Sequence, residues 1–464
     1  MAIDDTNISR LPYRRRIAIV PGDPPVAYRP GRVLVDEATL NQLDRVPDLV
    51  GDKYTVDPVF ATTNENGELI ADSPPFGQWY EVSGVPDAEA LVERLAREEL
   101  VAELDVVWFA NGGDCCGCPP HPALAAQIAA EGWGANPWRA NPWRANPWRA
   151  NSWSANPWRA NAEELNVVAT GRPPTSSVMP ALFPTMPPRT ASPNGVVIGV
   201  LDSGLAGGWS DADQYRPALL GTGTAALQRI SGPPDLPSQP IGPYPADEYL
   251  DPVAGHGTFI AGIIEQLTPG CTIRVESVFE PEGDVSVGTL ARRLWEMLRT
   301  VGPQIVNFSF GGTGRSKPFE RMIDWYHDHH GTVFVAAAGN EGSCVEQYPA
   351  ALPSVIGVAG LGPTGPAEWS NYGPWVDACA PGTDLVSCFF SHFSGALPRI
   401  NGIDSDDFEQ WATWSGTSFA APVVVAALAR EIATTGCTAT EAVDRIVRAS
   451  HLARLPNMGT VVNY

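Results

Sequence analysis

The 464-residue sequence has no long run of uncharged apolar residues, so no segment reads as a membrane-spanning helix. It also lacks any excess of positive charge. Thirty Lys and Arg stand against 52 Asp and Glu, a net charge of −22 that argues against broad nucleic-acid binding and favours solubility and attraction of basic peptides. A signal-peptide core is missing too: Arg14-Arg15-Arg16 is followed by only four apolar residues, IAIV. The expectation is therefore a cytoplasmic chain, or one that leaves the cell by another route. Cysteine is sparse and uneven, with Cys115, Cys116 and Cys118 clustered and Cys271, Cys344, Cys379, Cys388 and Cys437 apart. In a cytoplasmic chain most of these are expected to be reduced and buried, and no pairing among the last five can be deduced. What is abundant is apolar residues, 44% of the chain, enough for a substantial core.

The chain divides into an N-terminal extension (1–30), a small unit (31–110), a connector (111–194) and a large domain of about 270 residues from Gly195 onward. The small unit reads as βαββαβ. Arg32–Val35, Tyr54–Phe60, Gln78–Val82 and Asp105–Phe109 have strand character, and Glu37–Val46 is helix-like. Asp87 caps a helix through about Glu103, with Leu91, Val92 and Leu95 on one side and a Glu93/Arg97 pair on the other.

The connector carries a pentapeptide repeat from Asn136 to Ala160: NPWRA three times, NSWSA once and NPWRA again, before Asn161-Ala162. Proline at this spacing excludes a regular helix or a central strand, so extended or disordered chain is expected. Four arginines (Arg139, Arg144, Arg149, Arg159) and five tryptophans occur there with no acidic residue. Three readings stay open: a spacer, a docking or adaptor segment acting through its cationic and aromatic side chains, and a multi-copy cleavage site cut after arginine. Just upstream, Cys115, Cys116, Cys118 and His121 crowd into DCCGCPPH. Thiolates and imidazole suit zinc or copper(I), but adjacent cysteines make one tetrahedral site awkward, and free or redox-sensitive thiols are the preferred reading. His327, His329 and His330 fit the C-terminal end of a helix begun near Ser316-Lys317-Pro318, where positive charge complements the dipole.

Three glycine-bearing motifs in the large domain carry chemistry. Val196–Leu201 is an apolar strand closed by Asp202-Ser203-Gly204, which puts a carboxylate at the strand's carboxyl end. Gly255 and Gly257 flank His256 at the start of an apolar helix, where one ring nitrogen can meet an acid and the other a hydroxyl. Ser418 opens the Ala-rich segment Phe419–Ile432, beside free helix N–H groups, and Pro422 is expected to fall in the first turn. Taken singly, each has a bland alternative: a turn carboxylate, a core histidine, an N-cap serine. Taken together, they supply an acid to orient a base and a base to activate a serine.

The stretches Val196–Gly204 (VVIGVLDSG), Gly255–Gly262 (GHGTFIAG), Gly416–Pro422 (GTSFAAP) and Ala336–Asn340 (AAAGN) closely resemble the subtilisin-like serine peptidases, the subtilases. The resemblance runs from roughly Gly195 to the C-terminus. It implies a three-layer α/β fold with a mostly parallel central sheet, preceded by a small α+β ferredoxin-like domain. It implies serine endopeptidase chemistry through an acyl-enzyme: Ser418 as nucleophile, His256 as base, Asp202 orienting His256, and the Asn340 amide with the Ser418 N–H as oxyanion donors. Ser309-Phe310-Gly311, at the end of the strand-like QIVNFSF, would pair with an extended peptide substrate, with Ala337-Ala338-Gly339 as the facing pocket wall. Glu341 either sits at the pocket rim, favouring a basic residue, or is a solvated carboxylate. By order and position the 31–110 unit resembles the inhibitory prodomains of this family, the alternative being an independent binding module. The expected partners are a peptide or protein substrate and the chain's own N-terminal domain, with no nucleic acid and no membrane span. No cofactor is required for the chemistry, and a structural calcium ion is possible, although no ligand set is legible. A catalytically silent regulatory protein on the same scaffold is the competing class.

Overall fold

The computed structural model describes residues 17–110 apart from 23, 52 and 65–67; 195–206; 227–229; 235–236; 253–390 apart from 269 and 281–282; 393–394; 407–408; and 411–462. The pentapeptide repeat and the Cys115–His121 cluster lie outside the described residues.

The N-terminal unit is built on an antiparallel sheet. Strand β2 (Val26–Asp36) is flanked by β6 (Trp79–Ser83) and β7 (Ala102–Phe109), with β3 (Thr55–Pro58) against β6 and β1 (Ala18–Val20) against β2. Strands β4 (Ala61–Thr63) and β5 (Leu69–Ala71) form a small separate hairpin. The helix over Glu37–Val46 is shorter than its pattern suggests. Helix α1 (Glu37–Leu40), capped by the Asp36 carboxylate on Thr39 N–H, ends early, and Pro47 holds Val46 outside helical geometry before α2 (Pro47–Val50). Helix α3 (Ala88–Arg97) starts on the Asp87 cap and buries Leu91 and Leu95, while Glu93 and Arg97 pair on its exposed face at 3.4 Å. It stops six residues short of Glu103: Glu99 takes a left-handed φ of 60° and turns the chain into β7, where Asp105 to Trp108 are all buried.

The large domain is organised around a ten-stranded, mostly parallel sheet. Its strands are β8 (Val197–Asp202), β9 (Leu227–Arg229), β10 (Thr272–Ser277), β12 (Ile305–Phe308), β13 (Val333–Ala337), β14 (Val355–Gly362), β15 (Gly365–Pro366), β16 (Ala378–Pro381), β21 (Arg454–Leu455) and β22 (Gly459–Val461). The order across the sheet is β21-β22-β16-β14-β13-β12-β8-β10-β9, and only β15 and β21 pair antiparallel. Short pairs β17 (Leu385–Cys388) with β20 (Trp411–Trp414), and β18 (Phe393–Ser394) with β19 (Asp407–Phe408), lie outside it. Because side chains alternate across a strand, both faces must be covered. Ile198, Val200, Val333 and Val335 face helices α4 (His256–Leu267) and α7 (Thr417–Thr435), whereas Leu201, Val306, Phe334 and Ala336 face α5 (Val287–Thr300) and α6 (Lys317–His330). Helix α8 (Ala439–Val443) packs against α7. Helix α7 is long and apolar enough to cross a membrane, but 78% of that window is buried in this core.

One strand joins the two parts. Strand β11 (Asp284–Ser286) of the large domain pairs antiparallel with β7, extending the N-terminal sheet. Leu34, Phe60, Trp79 and Trp108 share one apolar cluster with Leu290, Trp295, Phe310 and Phe319. All five cysteines of the large domain are free, four buried and Cys344 exposed, and burial pushes the Cys271 and Cys379 thiols up to about 12.

Candidate active site

The apolar strand β8 delivers Asp202 to its carboxyl end, fully buried. One carboxylate oxygen accepts from Ser203 N–H at 2.8 Å and lies 2.7 Å from His256 Nδ1. His256 begins α4, entered through Gly255 at a left-handed φ of 78°. Gly257 is required by crowding, since a Cβ there would run into the Gly204 carbonyl. Trp414 and Phe419 wall the imidazole, with ring centroids 5.5 and 5.3 Å away. His256 Nε2 is buried and has no hydrogen-bond partner among the described residues.

Ser418 is the second residue of α7 and is 2% exposed. Its hydroxyl does not meet the histidine. It lies instead within reach of two carbonyl oxygens, Ala110 at 3.3 Å and Ser309 at 3.2 Å. Pro422 corrects a sequence expectation: it lies in the second turn of α7, not the first, where its missing N–H deprives the Ser418 carbonyl of an intrahelical donor. The Ser309 hydroxyl fills that vacancy, donating to Ser418 O at 2.7 Å, and is itself held by Asn307 Nδ2 at 2.8 Å. Asn340 follows β13 and Gly339. Its Oδ1 accepts from Thr417 N–H and from Thr417 Oγ1, both at 2.8 Å, which fixes the amide with its donor edge opposite Thr417.

Two strands border the serine, and the end of the N-terminal unit lies between them. Phe109 and Gly311 exchange both backbone hydrogen bonds, at 2.8 and 2.9 Å, and Ala110 N–H donates to Gly283 O at 3.0 Å. Ser309 and Phe310 therefore lie at this tail, whereas Ala337, Ala338 and Gly339 are buried at the end of β13, with Gly339 N–H donating to Thr417 Oγ1. Glu341 is half-buried and not a fully solvated carboxylate. Its carboxylate accepts from Asn340 N–H and Asn371 Nδ2, tying the 339–343 loop together, because Asn371 also accepts from the Glu341 and Ser343 N–H groups.

Several contributors were invisible in the sequence. Asp235, 2% exposed, accepts from the Ser203 hydroxyl and from Gly255 N–H, both at 2.8 Å, and so ties the acid's strand to the histidine's helix. Asn371 and the Gly283–Ser286 segment likewise carry no local signal, whereas Ser203 and Thr417 lie inside the glycine-bearing motifs of the acid and the serine. Two carboxylates of the N-terminal unit reach helix starts in the large domain: Asp105 accepts from Gly288 N–H in α5, and Glu103 accepts from the Ser316 hydroxyl and Lys317 N–H at α6. Burial raises their carboxyl pKa values to about 6 and about 7, with nearby Glu81 adding to the rise at Asp105. Among the described residues no three His, Cys, Asp or Glu side chains converge as a metal-binding group.

A parallel sheet with an acid at a strand end, and a histidine and a serine each opening a helix, defines an α/β hydrolytic scaffold of the subtilisin type. The model of the Subtilase family matches residues 193–454, more than half of the sequence, and the chain belongs to that family. It is 32% identical over 217 residues to the thermophilic serine proteinase of Bacillus sp. (strain AK1), covering 44% of this chain and 49% of that protein. It is 29% identical over 209 residues to the thermostable alkaline protease of Halalkalibacterium halodurans, covering 40% and 55%. The chain thus spans about half the length of these curated relatives. Among solved structures it is similar to a cold-adapted subtilisin-like serine proteinase, with TM-score 0.42 and 21% identity over 59% of this chain and 89% of that one.

Proposed function

We propose that the protein is a serine endopeptidase that works through Asp202, His256 and Ser418 and is held inactive by its N-terminal unit. The observation that carries the reading is the placement of the β7 tail, paired as a peptide strand between Gly311 and Gly283 with its Ala110 carbonyl 3.3 Å from Ser418 Oγ. A peptide substrate bound in the same way would present its backbone to the serine. His256, oriented through Nδ1 by Asp202, would take the Ser418 proton at Nε2 and later pass it to the leaving amine. The Asn340 amide and the helix-terminal N–H of Ser418 would hold the developing oxyanion. The inhibitory role is supported by β7 pairing with β11 and by the shared apolar cluster, which leave the tail in the cleft.

A silent binding protein is favoured by one detail, the Ser418 hydroxyl bonded to carbonyls rather than to His256. A serine-directed fluorophosphonate probe separates the two. Labelling of the wild type but not of Ser418→Ala supports the peptidase, whereas no labelling after proteolytic removal of residues 1–110 refutes it.

A further inference from the structure

We propose that the cleft reads the sequence Trp-X-Ala-Asn, and that the connector is a tandem array of that same sequence. The inference rests on the peptidase reading and names its substrate. It starts from the tail already in the cleft. Trp108 is 1% exposed, stacks on Phe310 with centroids 6.3 Å apart, and meets the edge of Phe319 at 4.9 Å. Its indole N–H donates to Gly314 O at 2.9 Å, so the pocket satisfies the polar handle that distinguishes tryptophan from phenylalanine. Gly312 makes the room: a Cβ there would stand 2.6 Å from the indole. The next residue, Phe109, is held by its backbone while its side chain stays partly exposed. Ala110 is enclosed, 1% exposed, and its side chain is a single methyl group. The cleft therefore specifies the first position, leaves the second open and restricts the third to a small residue.

Antiparallel pairing of Phe109 with Gly311 sets the residue two further along a bound peptide opposite Ser309, whose carbonyl lies 3.2 Å from Ser418 Oγ. In the tail's own sequence that residue is Asn111, giving WFAN. The same spacing recurs six times downstream, beginning at Trp133, Trp138, Trp143, Trp148, Trp153 and Trp158: WGAN, WRAN, WRAN, WRAN, WSAN and WRAN. Across the seven copies only the second position varies, through Phe, Gly, Arg and Ser, and that is the position the cleft leaves open. Proline precedes four of the six downstream tryptophans, the exceptions being Trp133 after Gly132 and Trp153 after Ser152. It is tolerated because alternation points that residue's N–H away from the Gly283–Ser286 strand.

Cutting then follows from the next residue. Ser418 Oγ attacks the Asn carbonyl carbon, the C–N bond breaks with His256 delivering a proton to the departing nitrogen, and water releases the acid and restores the serine. After Asn111, Asn151 and Asn161 stand Gly112, Ser152 and Ala162, ordinary secondary amides. After Asn136, Asn141, Asn146 and Asn156 stand prolines, whose ring crowds the preceding residue and whose nitrogen carries no hydrogen. These four copies fill the cleft without being cut and compete with the three that are. The cut falls two residues beyond the arginine, not after it.

The test is intact-mass analysis and N-terminal sequencing of the incubated full-length protein, with a synthetic PWRANSW peptide added. The expected cuts follow Asn111, Asn151 and Asn161 and the peptide's Asn, and are absent with Ser418→Ala. Trp148→Ala, in the connector, should slow the cut after Asn151 by about thirtyfold or more while sparing that after Asn111. Pro142→Ala should open a new cut after Asn141. If the fluorophosphonate probe labels Ser418 but neither chain nor peptide is cut after Asn, or cuts ignore tryptophan, the sequence reading is overturned and the peptidase reading stands. No labelling and no cutting removes both.

Discussion

The helices of the large domain begin in two contrasting ways. Helices α5 and α6 start against carboxylates supplied from the other unit, Asp105 and Glu103, so their N-terminal donors are matched by acceptors. Helices α4 and α7 start with His256 and Ser418 and are entered through Gly255 and Gly416, neither of which offers a capping side chain. Their first donors are held instead by neutral acceptors within the large domain, Gly257 N–H by the Ser203 hydroxyl and Thr417 N–H by the Asn340 amide oxygen. The same property of a helix end thus joins the two units on one face of the sheet and ties the loops of the candidate site together on the other.

That contrast can be broken from the chemical side first. Ser418→Ala should lower turnover by about six orders of magnitude with the fold intact, as read by peptide hydrolysis beside an unchanged circular-dichroism spectrum. Asn340→Leu should cost about a hundred- to a thousandfold in kcat with little change in KM, and an effect confined to KM would remove Asn340 from the oxyanion site. Ser309→Ala tests the α7 start more gently. It leaves the Ser418 carbonyl without the donor that replaces the missing Pro422 N–H, so thermal or urea unfolding should register a loss of about 1–3 kcal/mol.

The docking side is sharpened by pH. Burial raises the carboxyl pKa values of Glu103 and Asp105 to about 7 and about 6, so proton uptake accompanies docking. The sign is then fixed: their contribution is fully present below the ordinary carboxylate range and is lost as pH rises through 6 to 7. In a Ser418→Ala background, the midpoint of unfolding should fall from pH 5 to pH 8, and the fall should be shallower with Glu103→Gln and Asp105→Asn combined. Equal slopes would show that these carboxyls do not titrate on docking.

Much of the candidate site was legible because its parts are local. Asp202, His256, Ser418 and Asn340 each sit in a short motif whose glycines answer a steric demand, such as Gly257 against the Gly204 carbonyl. The periodic segments were legible for the same reason: α3 follows from the Asp87 cap and the Leu91/Leu95 stripe. Boundaries were not, because they are settled by competition. Residues 98–103 have helical character, yet the chain leaves the helix at Glu99 so that 102–109 can pair with β2 and β11. Glu341 could not be placed from its neighbours either, since its partner Asn371 lies 30 residues away.

The sequence by itself determined the chemistry on offer, an acid, a base and a serine in glycine-bearing turns, and the repeated tryptophan-alanine-asparagine spacing of the connector. Only the tertiary structure decided what the acid, the base and the serine each touch. Asp235 reaches Ser203 and Gly255 across 32 and 20 residues, Ser309 reaches Ser418 across 109, and Ala110 reaches Ser418 across 308. Such contacts have no periodicity or local propensity to announce them. They exist because a parallel sheet covered on both faces brings the ends of distant strands and helices to one edge, and that edge is where the tail of the N-terminal unit lies.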